Sequence, residues 1–182
     1  MEMTGEQIIP AAQAEVWRGL NDPEVLKACI SGCESIERLS DTEYGVVTVA
    51  AIGPVKAKFR GKLLLADLNP PHSYSLSFDG QGGAAGFGKG SAKVSLAAAG
   101  SGTRLSYAVK AQVGGKLAQI GSRLIDGVAK KMADDFFSAF NQNMAGPARA
   151  PAQPPIETEP GAAPLWWVIA IIAAMFLLSY ST

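Results

Sequence analysis

The residue types able to do chemistry are few and scattered in this 182-residue chain. It has one histidine, His72, directly after two prolines, and two cysteines, Cys29 and Cys33. A catalytic imidazole needs an orienting partner and a cleft, and a metal site needs more ligands than two thiols and one distant imidazole. The pattern therefore predicts a surface histidine, two small apolar cysteines, and no catalytic or metal-binding residues.

A glycine-rich stretch from Gly80 to Gly90 comes near two nucleotide-binding patterns. In both patterns the glycines lead into a helix whose first N–H groups hold the phosphates, whereas here a strand-like segment follows. The position that a P-loop fills with Ser or Thr is Gly90. The stretch is therefore interpreted as a mobile hairpin or edge segment whose Phe87 could cover the opening of a cavity.

Basic and apolar residues alternate along one predicted strand. Successive side chains of a strand point to opposite faces, so four basic residues share one face: Lys56, Lys58, Arg60 and Lys62. We call them the basic strip. Two interpretations stay open, a solvated face that resists aggregation or a contact surface for anionic lipid or an acidic partner. The formal net charge of the whole chain is zero, which argues against sequence-independent nucleic-acid binding.

The elements that must position these residues follow from hydrophobic periodicity. Residues 3–9 alternate weakly, and a pair of short helices is predicted after Pro10, with Asp22 as the N-cap of the second. Six strands separated by tight turns then predict an antiparallel meander, over residues 34–39, 44–52, 55–68, 74–78, 89–98 and 103–113. Apolar residues at helical spacing from Leu117 to Phe140 predict one long closing helix.

This order predicts an α+β fold in which a curved antiparallel sheet grips the long C-terminal helix. Small residues are frequent on the apolar face of the sheet, and under a curved sheet they fill less volume than Leu or Ile. A ligand cavity is therefore predicted, although small residues also permit close approach of sheet and helix. Its predicted lining is Ala57, Phe59, Phe78, Phe87, Leu124, Val128 and Met132.

The chain divides into a folded domain, residues 1–144, and two further segments. Residues 145–164 are rich in proline and alanine and predict a disordered linker. Residues 165–180 carry no charge and predict a C-terminal transmembrane helix, a tail anchor with Trp166 and Tyr180 near its ends. The alternatives are a buried core helix, which the linker disfavours, and an in-plane amphipathic helix, which would need a charged face.

The N-terminal residues and the cysteines indicate the cellular location of the domain. The first residues lack the basic and apolar pattern of a signal peptide, and two cysteines are too few for a disulfide framework. The sequence therefore predicts a domain on the cytoplasmic face of the cell inner membrane, held there by a single C-terminal pass.

Several long motifs resemble one known family. They are NDPEVL at residues 21–26, CISGCES at 29–35, GPVK at 53–56, GGAAGF at 82–87 and AQVGGKLAQIGSRLI at 111–125. In register over residues 1–142, they are similar to the CoxG subunit of carbon monoxide dehydrogenase, a family of the START-like (SRPBCC) helix-grip superfamily. Ser31 stands where the family pattern has proline.

The resemblance implies a strand, two helices, six strands and a long helix around a hydrophobic cavity, the order already predicted above. It also implies an accessory, non-catalytic protein of a molybdenum hydroxylase such as aerobic carbon monoxide dehydrogenase, which recruits the enzyme to the membrane. A quinone, menaquinone or ubiquinone, bound in the cavity would link the enzyme to the respiratory chain. The alternative is a purely structural recruitment or maturation factor with a packed interior and no ligand.

Overall fold

The structure, a computed structural model, describes residues 1–146. The strands are β1 (Glu2–Ile9), β2 (Cys33–Arg38), β3 (Glu43–Ile52), β4 (Val55–Asn69), β5 (Ser73–Gln81), β6 (Phe87–Ala99) and β7 (Gly102–Gly114). The helices are α1 (Gln13–Leu20), α2 (Pro23–Cys29), α3 (Lys116–Gln119) and α4 (Ser122–Met144), and a 3-10 turn (Gly83–Ala85) joins β5 to β6. The predicted α+β helix-grip order is confirmed.

The seven strands form one antiparallel sheet in the order β1-β7-β6-β5-β4-β3-β2. From β2 to β7 each strand pairs with its neighbour in sequence, as a meander does, and short turns join most of these pairs. β1 instead pairs with β7, so that Glu2 lies opposite Lys110 and Ile9 opposite Thr103. The predicted meander is confirmed, with β5 and β6 a few residues longer than predicted.

The helix pair after β1 is held by local hydrogen bonds. Asp22 caps α2, since its Oδ1 accepts a hydrogen bond from the backbone N–H of Glu24 at 2.9 Å. Pro23 occupies the first position of α2, where a missing N–H costs nothing because that donor would be unpaired. At the end of α1, the Asn21 side-chain amide donates to the Trp17 carbonyl oxygen at 2.8 Å. The predicted pair and its cap are confirmed.

The predicted single closing helix is divided in two. α3 ends at Gln119 and α4 begins at Ser122, after Gly121 with φ +99°. That backbone conformation interrupts the helical hydrogen-bond ladder and is readily adopted only by glycine. The apolar repeat runs across the break because Leu117, before it, is also buried, with 2% exposure. Periodicity alone therefore predicted one helix where glycine makes two.

The aromatic part of the core lies under the C-terminal half of α4. Phe140 and Ile9 have no exposed surface. Phe136 stacks on Phe140 with ring centroids 5.8 Å apart, and Tyr107 stacks on Phe137 at 5.2 Å. Burying each such side chain contributes about 1.5–3 kcal/mol. Helix α4 contacts β1 and both N-terminal helices and holds them to the sheet.

Two predicted segments lie wholly or mostly outside the described residues. Of the predicted linker, 145–164, the structure describes residues 145 and 146, and the predicted transmembrane helix, 165–180, lies outside the described residues. Within residues 1–146, no helix combines the length and the apolar character needed to cross a membrane. The linker and the membrane anchor stay predictions.

Candidate functional site

The inner face of the sheet carries apolar side chains on alternate residues. Along Val55–Leu63 of β4, every second residue is half-buried and the residues between are exposed. Phe59 and Phe78 both lie on the inner face, and glycines make room for their rings. A Cβ at Gly82 would lie 2.4 Å from the Phe59 ring, and one at Gly90 would lie 2.7 Å from that of Phe78. The glycines of this sheet therefore shape its inner surface.

Three adjoining apolar compartments lie between this face and α4, with volumes of about 310, 370 and 300 Å³. The first and second share Phe78 and Met132 in their walls. The second and third share Val109 and Phe136. Shared walls make the compartments one run along the sheet, and each is of the size that a small-molecule site requires.

Helix α4 lines the compartments with a row of residues, and the sequence analysis predicted only some of them. Val128 and Met132 line the second compartment, where the sequence put them, together with Ile125 and Ala129, which the sequence missed. Leu124 is instead 44% exposed and contributes to none of the three walls. A four-residue step turns a helix by about 400°, so a row drawn at every fourth position drifts by about 40° per step from the inner face.

Two further predicted wall residues lie elsewhere. Ala57 is on the inner face, opposite Ala50 of β3, but it contributes to none of the three walls. Phe87 lies on the outer face, where its ring covers Gly114 so closely that a Cβ there would be 2.2 Å away. Lys89 lies on the same face, its Nζ 5.9 Å from the Phe87 ring centroid. Glycines around Phe87 hide the alternation, so the sequence pattern did not reveal its face.

The glycine-rich stretch is packed against the end of β7. Gly86 has φ +114°, and a Cβ there would lie 2.0 Å from the Gly114 carbonyl oxygen. A Cβ at Gly115 would lie 2.6 Å from Gly86 Cα, so two backbone segments touch at positions that only glycine can fill. The 3-10 turn that precedes Gly86 is only three residues long. It therefore lacks the helix start that nucleotide phosphates require.

The basic strip is exposed on the outer face of β4, as the alternation predicts. Two of its members form ion pairs with acids of other strands: Lys58 Nζ with Glu34 Oε2 of β2 at 2.8 Å and Lys62 Nζ with Glu43 Oε1 of β3 at 2.7 Å. Within residues 1–146, Lys56 and Arg60 have no such partner. The strip therefore offers two uncompensated charges rather than four.

A depression of about 840 Å³ also lies on the outer face, next to this strip. It is larger than any of the inner compartments, and its lining includes Lys62, Asp79 and Lys89. Charges of both signs, wide open to water, are well solvated and bind a small molecule weakly. The candidate ligand site is therefore the interior, not this depression.

Two tyrosines that line the third compartment, Tyr74 and Tyr107, make no side-chain hydrogen bond among residues 1–146, and Tyr74 is the more deeply buried. Tyr74 is 6% exposed, and its ring meets Trp17 edge to face at 5.5 Å. The Tyr44 hydroxyl donates to the Asn21 carbonyl oxygen at 3.1 Å, whereas the Tyr74 hydroxyl makes no hydrogen bond within residues 1–146. Burial, and secondly the neighbouring Tyr44 phenol, raise the pKa of Tyr74 far above its usual range. Tyr74 therefore stays protonated and able to donate.

The residues considered for catalysis lie apart. His72 is exposed, and its Nδ1 lies 3.0 Å from Gln13 Nε2. Cys29 and Cys33 are free thiols. Burial raises the pKa of both, an effect that Lys27 partly offsets at Cys33, so neither is an activated nucleophile. Among the described residues, no cluster of three or more His, Cys, Asp or Glu side chains is arranged to hold a metal ion.

Known proteins resemble this chain in sequence and in fold. The family model for the CoxG subunit of carbon monoxide dehydrogenase matches residues 5–145. A crystal structure of a conserved protein from Geobacillus kaustophilus is 34% identical, with a TM-score of 0.75 over 80% of this chain and 95% of that one. No curated protein matches.

More distant structures share the fold alone. A protein from Thermus thermophilus is 18% identical with a TM-score of 0.59, over 79% of this chain and 97% of its own. Ara h 8.0201 is also 18% identical, with a TM-score of 0.58 over the same shares. The curved sheet and its closing helix are thus a framework that widely different sequences adopt.

Proposed function

Because the chain belongs to the CoxG family of carbon monoxide dehydrogenase, we propose that it is an accessory, non-catalytic protein of a molybdenum hydroxylase such as aerobic carbon monoxide dehydrogenase. In this role it recruits the enzyme to the membrane and binds a quinone or a similar lipid in its interior. The observation that carries the proposal is the run of three apolar compartments of about 310, 370 and 300 Å³ under the sheet.

The compartments suit a long apolar ligand. Their walls are mostly aromatic and aliphatic, and the charged residues at the margin of the first, Lys62 and Asp79, are exposed on the other face of the sheet. Burying apolar surface contributes about 25 cal/mol per Å². The isoprenoid tail of menaquinone or ubiquinone is flexible and could follow a run of compartments whose shared walls include Phe78 and Phe136.

Tyr74 offers the polar contact that a quinone ring needs. A quinone carbonyl only accepts hydrogen bonds, and the protonated Tyr74 hydroxyl is a donor without a partner among residues 1–146. A ligand carbonyl placed within reach of this hydroxyl would accept its hydrogen bond. We therefore expect the ring of a bound quinone in the third compartment, which Tyr74 lines.

The basic strip supports the recruiting role. We propose that it contacts the dehydrogenase or the membrane through Lys56 and Arg60, since Lys58 and Lys62 are already paired. Reversing both free charges, Lys56→Glu with Arg60→Glu, should weaken binding to the enzyme or to anionic vesicles more than Lys58→Glu with Lys62→Glu does. Equal effects of the two pairs would return the strip to its other interpretation, a solvated protective face.

The decisive experiment is extraction of the full-length chain, purified in mild detergent, with organic solvent followed by mass spectrometry. We expect a quinone or another lipid in stoichiometric amount. Val128→Trp, which places a ring in the second compartment, should lower that amount severalfold. Ala97→Trp adds the same ring at an exposed position of β6 and should leave it unchanged. An empty wild-type chain would favour the alternative, a structural recruitment or maturation factor without ligand.

The membrane part of the proposal is tested separately. Deletion from Ala145 onward should release the domain into the soluble fraction with its unfolding transition intact, because the core lies before that residue. Sedimentation of the truncated chain with membranes after a high-salt wash would show that residues 165–180 are not the principal anchor. Pull-down of the dehydrogenase by the full-length chain then tests the partner.

A further inference from the structure

The turns at the two ends of the sheet differ in charge. At one end lie the connections β3–β4, β5–β6 and β7–α4, residues 52–56, 81–87 and 114–123. They contain three basic residues, Lys56, Lys116 and Arg123, and no acidic one. We call this the glycine end, after its turns. At the opposite end, residues 39–42, 67–72 and 99–102 contain Asp41 and Asp67 and neither lysine nor arginine.

The charges of the glycine end are available for a partner. Lys56, Lys116 and Arg123 are all exposed, and none forms an ion pair with another described residue. The acid that follows them along α4, Asp126, lies beyond the first turn of that helix. The glycine end is therefore a locally positive surface on a chain of zero formal net charge.

An apolar tip lies at the same end. Leu124 is 44% exposed, although it sits against the hairpin turn, where a Cβ at Gly53 would be 2.8 Å from Leu124 Cδ2 and 3.6 Å from Ile120 Cγ2. Apolar side chains among cations are the pattern of surfaces that lie in a lipid headgroup layer. A rigid acidic protein would require matched geometry, whereas headgroups accept cations spread over three separate turns.

The inner compartments adjoin this end. Ile52 of the hairpin and Leu117 of α3 line the first compartment, and Ile125 of α4 lines the second. Met132 lines both and is still 38% exposed, so solvent reaches the compartments beside this stretch of α4. A surface placed against the glycine end would lie next to the apolar interior.

We propose that the glycine end docks on an anionic lipid surface through Lys56, Lys116 and Arg123, with Leu124 in the headgroup layer. Docking in this orientation lets a lipid-like ligand pass between bilayer and compartments without crossing water. This inference rests on the proposed function, since it gives the ligand-binding interior its route to the membrane. It assigns membrane contact to the domain itself, in addition to the apolar segment 165–180.

The test measures which end of the domain faces the lipid surface when the full-length chain is bound to vesicles. In a Cys29→Ala, Cys33→Ala background, an environment-sensitive fluorophore is attached at Leu124→Cys or, at the opposite end, at Ser101→Cys. We expect quenching by doxyl-labelled lipid only at position 124, and only in vesicles containing about 30% phosphatidylglycerol, as anionic lipid attracts the cations. Lys116→Glu with Arg123→Glu should reduce that quenching about fivefold or more. Lys93→Glu with Arg104→Glu, on the outer face, is the matched control.

Hydrogen exchange of the unmodified chain gives a second measurement that needs no substitution, with protection by anionic vesicles expected at residues 114–124. Vesicle sedimentation distinguishes failure of the docking inference from failure of the proposed membrane recruitment. Attachment without quenching or protection at the glycine end overturns the docking inference and leaves membrane recruitment standing. Absence of attachment overturns both. A response at position 124 to the purified dehydrogenase, but not to lipid, would reassign this end to a protein partner.

Discussion

The two halves of α4 rest on different interiors. From Ala133 onward the helix covers stacked aromatic rings, with Phe137 and Phe140 buried. Before it, the same helix lies over the first and second compartments, and Leu124 and Met132 remain partly exposed. The third compartment lies beside the rings of the packed half, with Phe136 and Phe137 in its wall. The packed half contributes most of the burial that holds the fold, since stabilisation follows the apolar surface removed from water. The first and second compartments, under the hollow half, should therefore accept part of a ligand at little cost to the fold.

The largest difference between the halves should come from removing a ring. We expect Phe140→Ala to lower the free energy of unfolding by about 3–5 kcal/mol, because it leaves a cavity in a filled core. Met132→Ala, in the hollow half, should cost about 1 kcal/mol or less, as its side chain is already partly in water. Urea denaturation of the full-length chain measures both. Equal losses would mean that the halves are packed alike.

Substitutions that add volume should show the same contrast between the filled core and the second compartment. Val16 has no exposed surface, and Val16→Trp should cost about 1–3 kcal/mol or more through overpacking. The identical change at Val128 inserts the ring into existing space and should cost less than about 1 kcal/mol. Thermal melting compares the two variants directly. A strongly destabilised Val128→Trp protein would show that the second compartment is filled in solution.

The connection between β5 and β6 packs against the end of β7 through close backbone contacts at Gly86 and Gly115. Gly86→Ala should lower stability by about 1–3 kcal/mol, because a Cβ there meets the Gly114 carbonyl at a φ of +114°. Gly83 has φ +60° and open space around it, so Gly83→Ala should show only the conformational cost of about 1 kcal/mol. Chemical denaturation resolves that difference. If the two variants match, the contact between the glycine segments adds nothing to stability.

The smallest effect concerns pH. Burial raises the pKa of the Cys29 thiol and of the Tyr74 phenol, so above their ordinary pKa values the unfolded chain releases protons that the folded chain retains. Stability then falls as pH rises, by up to about 1.4 kcal/mol per pH unit for each group. Unfolding followed from about pH 8 to 11 should show this decline, flattened above about pH 10 in Tyr74→Phe. An unchanged slope in that variant would place the Tyr74 hydroxyl in water.

Local patterns predicted the elements well, and long-range relations less well. The alternation along β4 and the Asp22 cap are properties of neighbouring residues, and both are found in the structure. The pairing of Lys58 with Glu34 joins residues from different strands, which no local pattern shows. Phe87 and Gly121 were misjudged for a common reason: where glycine lies next to a position, side-chain periodicity carries no signal about the direction of the backbone.

The pairing of β1 with β7 has a consequence for how the chain folds. Glu2 of β1 lies opposite Lys110 of β7 on the adjacent strand, although the two residues are far apart in the sequence. Most other neighbouring strands are joined by short turns, so their pairing requires only a short loop to close. Closing the loop between β1 and β7 costs conformational entropy before any contact is gained, so we expect β1 to join late and the chain to fold slowly for its size. Until then one edge of β7 is unpaired and open to other chains. The period of greatest aggregation risk therefore falls after the meander has formed and before its first strand docks.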